Sequence, residues 1–100
     1  MRRRVVVTGI GMVTPLGNSV EETWEGMRNG RSGVDTITNF DASTLPTKIA
    51  AEVKNLNLAN FVEHPERFEF AGRNSRLAIA AAALAVKDSG LEPARIDRSR

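Results

Sequence analysis

The segment that most constrains this fold is an alanine-rich run near the end of the chain, RNSRLAIAAAALAVKDSGLEP. Every residue over 77–86 is apolar, and six of these residues are alanine. The pattern predicts a helix over 75–89 that is apolar on all sides and therefore buried on all sides. Alanine side chains also allow neighbouring backbones to approach closely. Such a helix belongs in the middle of a layered α/β protein.

Both ends of this predicted helix carry recognisable signals. Asn74 or Ser75 can cap its amino terminus. Gly90 stops it in the left-handed position that follows many helices, with Leu91 packing back and Pro93 blocking continuation. We therefore expect the helix to end at residue 89.

Two further segments have strand patterns. Residues 3–8, RRVVVT, contain a continuous β-branched run, which is typical of a strand covered on both faces in a parallel sheet. From 47 to 54 the chain alternates, with Ile49, Ala51 and Val53 on one side and charged residues on the other. That alternation predicts a half-exposed strand.

The remaining segments are shorter. Ser19 followed by Glu22 is a capping-box pattern, so a helix should begin near Ser19, with Val20, Trp24 and Met27 forming one apolar face. Residues 31–46 are rich in turn formers. Residues 55–72 predict short helical turns.

Two strands and two helices cannot surround a helix that is apolar on every side. After that helix the chain runs through ARIDRSR, where an α/β unit would begin its next strand. We therefore expect these residues to be the opening part of a larger chain, or to hide their apolar surfaces by oligomerising.

Composition excludes several classes of function. The chain has no cysteine, which rules out disulfides, cysteine-based zinc sites and a cysteine nucleophile within these residues. A net charge of +2 is too small to indicate nucleic-acid binding. The apolar block over 77–86 is too short for a bilayer, which takes about 20 residues. The opening MRRRVVVTGIGMV has no cleavage site of a signal peptide, and we expect a cytoplasmic protein.

The glycine-rich loop after the first predicted strand partly matches a dinucleotide-binding fingerprint. Gly9 and Gly11 fit, but the third glycine is missing and Pro15 follows at once. The more economical interpretation is that the glycines form a tight turn and let buried backbones approach each other. A dinucleotide-binding unit stays open as an alternative.

Charged residues over 63–76 form no obvious catalytic set. The single histidine, His64, is expected to be a solvated surface residue. Glu63, Glu66 and Glu69 are spaced by three and are expected on a solvated face. Three arginines could present a small cationic edge or pair with those glutamates, namely Arg67, Arg73 and Arg76.

The opening RRVVVTGIGMVTPLGNSVEETWEGMRNGRSGV closely resembles the amino terminus of elongating β-ketoacyl-acyl-carrier-protein synthases, most of all synthase II. The later pieces FDASTLPTKIAAEVKNL and KDSGLE keep the order found in that family. The resemblance spans nearly all 100 residues. Chain-length factors and aromatic-polyketide ketosynthases are near relatives, and the run from Thr14 to Gly17 favours the fatty acid branch.

The resemblance implies a thiolase-like layered αβαβα fold, of which residues 1–100 are the first part of the N-terminal half and an incomplete domain. It implies a homodimeric acyltransferase of fatty acid biosynthesis that performs a decarboxylative Claisen condensation. Its partners would be acyl carrier protein and malonyl-acyl carrier protein, and it would use no metal or cofactor. The family's cysteine, histidines and lysine match no residue here, so no catalytic residue is assigned and residues 1–100 alone should be inactive.

The resemblance also implies a basic edge near residues 63–73 where acidic carrier protein docks. Arg67 and Arg73 are the candidates, although Glu63, Glu66 and Glu69 dilute their charge. A small non-enzymatic interaction module remains the alternative from a different class.

Overall fold

The computed structural model describes residues 2–97 and Ser99. Its helices are α1 (Val20–Arg28) and α2 (Arg73–Ser89), and its strands are β1 (Val34–Thr36) and β2 (Ile49–Ala51). Contacts divide the chain into two compact units, residues 13–57 and residues 1–12 together with 58–100. No helix among the described residues is long and apolar enough to cross a membrane.

Helix α1, in unit 13–57, begins as the capping pattern predicts. The Ser19 side chain accepts the backbone N–H of Glu22 at 3.1 Å. In return, Glu22 Oε2 accepts a backbone N–H, but from Asn18 at 2.8 Å and not from Ser19. The reciprocal pair therefore satisfies one amide inside the helix and one in the residue before its cap.

The side of α1 that is buried differs from its apolar stripe. Trp24 and Met27 are each 59% exposed, whereas Thr23 and Gly26 are buried. Burial of Thr23 is tolerated because its hydroxyl donates a hydrogen bond to the carbonyl oxygen of Ser19 at 2.8 Å. A threonine and a glycine, and not the large apolar residues, thus lie on the packed side of this helix.

Strands β1 and β2 form a two-stranded antiparallel ribbon, with Val34 opposite Ala51 and Thr36 opposite Ile49. The predicted strand over 47–54 is confirmed at its centre, and β1 lies in the segment interpreted as turns. Ile49 and Ala51 are both exposed. Ala50 between them is half-buried, so the prediction that the apolar side is the covered one is wrong for the described residues, which provide no layer to cover it.

Helix α2 extends beyond its predicted start. Its N-cap is Gly72, with extended backbone angles and no side-chain cap, so the prediction of a cap at Asn74 or Ser75 is wrong. The backbone turns into the helix before either side chain can reach a free amide. Its end is confirmed, because Gly90 has φ of 69° and its N–H bonds to the Lys87 carbonyl. Leu91 is exposed and does not pack back.

The described residues leave one face of α2 uncovered, as the small number of elements predicts, and its burial within a longer chain stays a prediction. Ala80 is fully buried, but Ala78, Ala82 and Val86 are exposed along one face. Burial requires a second layer over that face, and residues 2–97 supply none.

The predicted strand over 3–8 is also wrong for the part of the chain that the structure describes. Val5 and Val7 are 91% and 82% exposed, and no described strand pairs with this segment. A strand is defined by hydrogen bonds to a neighbour, which sequence patterning alone cannot provide. The short turns predicted over 55–72 are confirmed as 3₁₀ helices at Leu58–Asn60 and Pro65–Phe68.

Candidate functional site

The segment over residues 63–73, which we call the arginine segment, connects a short 3₁₀ helix to α2. Pro65 occupies the first turn of the 3₁₀ helix, where its missing N–H and fixed φ are tolerated. Phe70 follows in the connection and is 97% exposed. The chain then enters α2 at Arg73. The segment therefore presents an exposed aromatic side chain between Arg67 and Arg73.

Arg76 holds this connection in place. Its Nη2 donates to the carbonyl oxygens of Glu69 at 2.9 Å and Phe68 at 3.4 Å. The bond to Glu69 satisfies a carbonyl at the end of the 3₁₀ helix, whereas the Phe68 carbonyl also accepts the backbone N–H of Ala71 at 3.0 Å. Arg76, which lies just beyond the arginine segment, thus has a structural role and is less exposed than Arg67 and Arg73.

Arg67 and Arg73 are both exposed, as a docking role requires. The three glutamates of the segment are exposed as well, which confirms the solvated face predicted for Glu63, Glu66 and Glu69. His64 is on the surface, as predicted, with Nδ1 3.1 Å from Glu66 Oε1. His64 thus contacts one of the glutamates whose negative charge offsets the charges of Arg67 and Arg73.

The amino terminus of α2 begins beside Arg73 and has no side-chain cap. Gly72 provides no side-chain cap, and the first turn of the helix contains no acidic residue. Free N–H groups and the helix dipole favour a negatively charged partner at such an end. The sequence pattern alone does not show that Phe70 is exposed, because several apolar residues lie scattered among the charged residues over 55–72.

The glycine-rich loop packs on α2 in unit 1–12 with 58–100. A Cβ atom at Gly9 would overlap the Ala85 carbonyl oxygen and lie 2.5 Å from Ser89 N. One at Gly11 would overlap the Ala81 carbonyl oxygen. The interpretation of these glycines as sites of close backbone approach is therefore confirmed. The helix occupies the space beside the two glycines that a dinucleotide phosphate would need.

No group of three or more metal-ligating side chains occurs among the described residues. The exposed side chains of Arg67 and Arg73 can each donate charge-assisted hydrogen bonds to an anionic group.

Residues 2–100 match the family model described as beta-ketoacyl synthase, N-terminal domain. Over 91 residues the chain is 45% identical to 3-oxoacyl-[acyl-carrier-protein] synthase 2 of Coxiella burnetii, covering 91% of this chain and 22% of that protein. The corresponding protein of Synechocystis sp. is 37% identical over 90 residues, covering 90% of this chain and 21% of that protein. The chain thus spans about a fifth of the length of these curated relatives.

A solved structure of the ishigamide ketosynthase/chain length factor is also similar. It matches with a TM-score of 0.83 and 39% identity, covering 96% of this chain and 24% of that chain. This likeness confirms the predicted α/β, thiolase-like fold, of which the described residues form part. Taken with the family match over nearly every residue, it shows that the chain belongs to the beta-ketoacyl synthase family, as part of its N-terminal domain.

Proposed function

We propose that the full-length protein is a 3-oxoacyl-[acyl-carrier-protein] synthase of fatty acid elongation. The observation that carries this proposal is the 45% identity to a synthase 2 over 91% of the chain. Residues 1–100 would be the amino-terminal portion of its N-terminal thiolase-like domain. Their role would be to form part of the scaffold and to contribute a docking surface.

The proposed reaction begins when a cysteine thiolate attacks an acyl-carrier-protein thioester, releasing the carrier thiol. Malonyl-acyl carrier protein then loses carbon dioxide, and its α-carbon attacks the acyl-cysteine carbonyl. The cysteine thiolate leaves as the 3-oxoacyl thioester forms, so the two thioesters supply every carbon of the product and no cofactor is needed. Residues 1–100 contain no cysteine and should be inactive alone.

The full-length protein should convert acyl- and malonyl-acyl carrier protein to 3-oxoacyl carrier protein with release of carbon dioxide. Mass spectrometry of the carrier-bound product provides the measurement. Absence of product with acyl chains of several lengths would contradict the proposal.

The likeness to a ketosynthase/chain length factor structure favours one alternative. A chain-length factor would show no condensation alone, but it would bind a ketosynthase and change the length of that enzyme's product. Co-expression with a ketosynthase therefore separates the two functions.

We further propose that Arg67 and Arg73 help to dock the acidic carrier protein. Their exposure and the uncapped start of α2 support this role. In the full-length enzyme, Arg67→Glu and Arg73→Glu should each raise KM for the carrier-bound substrate about fivefold, as loss of roughly 1 kcal/mol would. The kcat value and the KM for a small malonyl thioester without carrier should not change.

Arg95→Glu is the matched control, because Arg95 is an exposed arginine outside the arginine segment that pairs with Glu92. An equal rise in KM for this variant would show a general charge effect and contradict docking at Arg67 and Arg73.

We also propose that the full-length protein is a cytoplasmic homodimer. The resemblance to elongating synthases, which implies a cytoplasmic homodimer, supports this proposal. Sedimentation equilibrium of the full-length protein tests whether it is a dimer. Fractionation of the cells that produce it tests whether it is cytoplasmic. A full-length monomer would contradict the dimer. A compact, cooperatively melting monomer of residues 1–100 would favour the interaction module.

A further inference from the structure

We propose that unit 13–57 carries a binding cleft for a small organic anion that also has a hydrogen-bond donor, such as a phosphorylated alcohol or a hydroxy acid. The cleft has a volume of about 330 Å³, which is enough for a small molecule. The lining residues that carry the argument are Thr14, Asn18, Glu22, Arg31, Lys54 and Asn55. This inference is independent of the proposed condensation and of the arginine segment.

The wall of the cleft is tied together by hydrogen bonds. Thr14 and Gly17 exchange two backbone hydrogen bonds, at 2.8 and 3.1 Å, which close a turn. The Asn18 amide Nδ2 then donates to the carbonyl oxygens of Lys54 at 3.0 Å and Asn55 at 3.3 Å. These bonds connect the two sides of the cleft, so its lining is organised before any ligand arrives.

Asn55 is further evidence that the lining of the cleft is held in place, because its backbone is in the left-handed region that side chains rarely adopt. Its φ of 59° is the one positive value among the described residues other than glycine. Such a conformation costs free energy and is retained where surrounding contacts hold it. Here Asn18 provides one of those contacts.

The lining of the cleft includes two cations, Arg31 and Lys54. Arg31 Nη2 donates to the Leu16 carbonyl oxygen at 3.2 Å, and Lys54 Nζ donates to the carbonyl oxygens of Gly33 at 3.2 Å and Glu52 at 3.1 Å. These neutral oxygens use only part of the donor capacity of a guanidinium and an ammonium group. The remaining N–H groups can bind a phosphate or carboxylate with charge-assisted hydrogen bonds.

The cleft also contains acceptors. Asn18 Oδ1 is buried and has no hydrogen-bond partner among the described residues. Because solvent does not reach this oxygen, the acceptor open to a ligand hydroxyl or amine is the exposed Glu22 carboxylate. Glu22 also lines the cleft, with Oε2 engaged by the Asn18 N–H. Two cations and one carboxylate leave a net positive charge, which matches a ligand with one anionic group and a separate donor.

The test titrates the full-length protein with glycerol 3-phosphate and, separately, with glycerate, using isothermal titration calorimetry. Methyl phosphate and acetate serve as probes that lack the alcohol hydroxyl groups. Saturable binding of either hydroxylated probe supports the proposal. The probe that binds more tightly shows whether the cleft prefers a phosphate or a carboxylate. Binding of neither, or equal binding of the probes without hydroxyl groups, would overturn it.

Matched variants locate the site. Arg31→Gln and Lys54→Gln should each weaken binding of the preferred probe about tenfold, the effect of losing one charge-assisted hydrogen bond. Arg28→Gln and Lys48→Gln are the controls, because both residues are exposed in the same unit and neither lines the cleft. An equal loss in the controls would show non-specific attraction and contradict the site. Circular dichroism confirms that all four variants fold.

Discussion

The carboxylate of Asp88 accepts the backbone N–H of Ile10, with 2.9 Å between Oδ2 and the amide nitrogen. The two residues are 78 positions apart in sequence. Ile10 lies between the two glycines whose backbones meet α2, so the bond fixes the loop at its point of closest approach. A single side chain near the end of α2 thereby holds the glycine-rich loop on the helix.

Asp88→Ala should free this loop. Loss of an exposed hydrogen bond to a charged group should lower the free energy of unfolding by about 1 kcal/mol. The more specific result is faster hydrogen exchange at the Ile10 amide, measured by NMR or mass spectrometry. Asp35→Ala is the control, since its carboxylate accepts the backbone N–H of the adjacent Thr36 on an exposed strand. Unchanged exchange at Ile10 would contradict the role of Asp88.

Gly11→Ala should destabilise the protein more strongly. Its Cβ would overlap the Ala81 carbonyl oxygen and lie 2.5 Å from Ala85 N, and a helix backbone cannot move aside easily. We expect the free energy of unfolding, measured by denaturant titration, to fall by about 2 kcal/mol. Gly72→Ser is the control, because nothing lies within 4 Å of its added Cβ. Equal losses for the two variants would mean that crowding against α2 is not the cause.

Thr23→Val should destabilise unit 13–57 although it preserves the shape of the side chain. The Thr23 hydroxyl is 2.8 Å from both the Ser19 carbonyl oxygen and Thr14 Oγ1, and the residue is buried. Valine removes the hydroxyl from both the Ser19 carbonyl oxygen and Thr14 Oγ1, which should lower the free energy of unfolding by about 1 kcal/mol. Thr36→Val, on an exposed strand, should change stability by less than about 0.5 kcal/mol. A double-mutant cycle with Thr14→Val should show that the two threonines are coupled.

The pKa of Asp41 is lowered, first by the hydrogen bond from the Ser43 backbone N–H and then by the Ser43 hydroxyl. Because the folded pKa lies below the unfolded value, the stabilisation exists above the unfolded pKa and is lost as pH falls through the folded pKa. Ser43→Ala removes only the hydroxyl, so the pKa should rise part of the way. Carbon-detected NMR titration of the Asp41 carboxyl measures this, and an unchanged midpoint would contradict a contribution from the hydroxyl.

Local signals in the sequence were sufficient where a structure depends on neighbouring residues. The cap at Ser19 and the left-handed Gly90 both occur as predicted, because each depends on a few adjacent dihedral angles and hydrogen bonds. The candidate surface was only partly predictable. Arg67 and Arg73 could be named from a resemblance, whereas the exposure of Phe70 depends on how the chain enters α2.

By itself, the sequence determined the two helices, the centre of β2 and the membership of a condensing-enzyme family. Tertiary structure decided which surfaces are covered. The valines over 5–7 have the pattern of a strand, yet they lack a partner among the described residues, and Ala80 is buried while Ala78 and Ala82 are exposed. The reason is physical: helix caps and periodicity are local properties, but burial and strand pairing require atoms from distant parts of a chain. The bond between Asp88 and Ile10 is of this second kind.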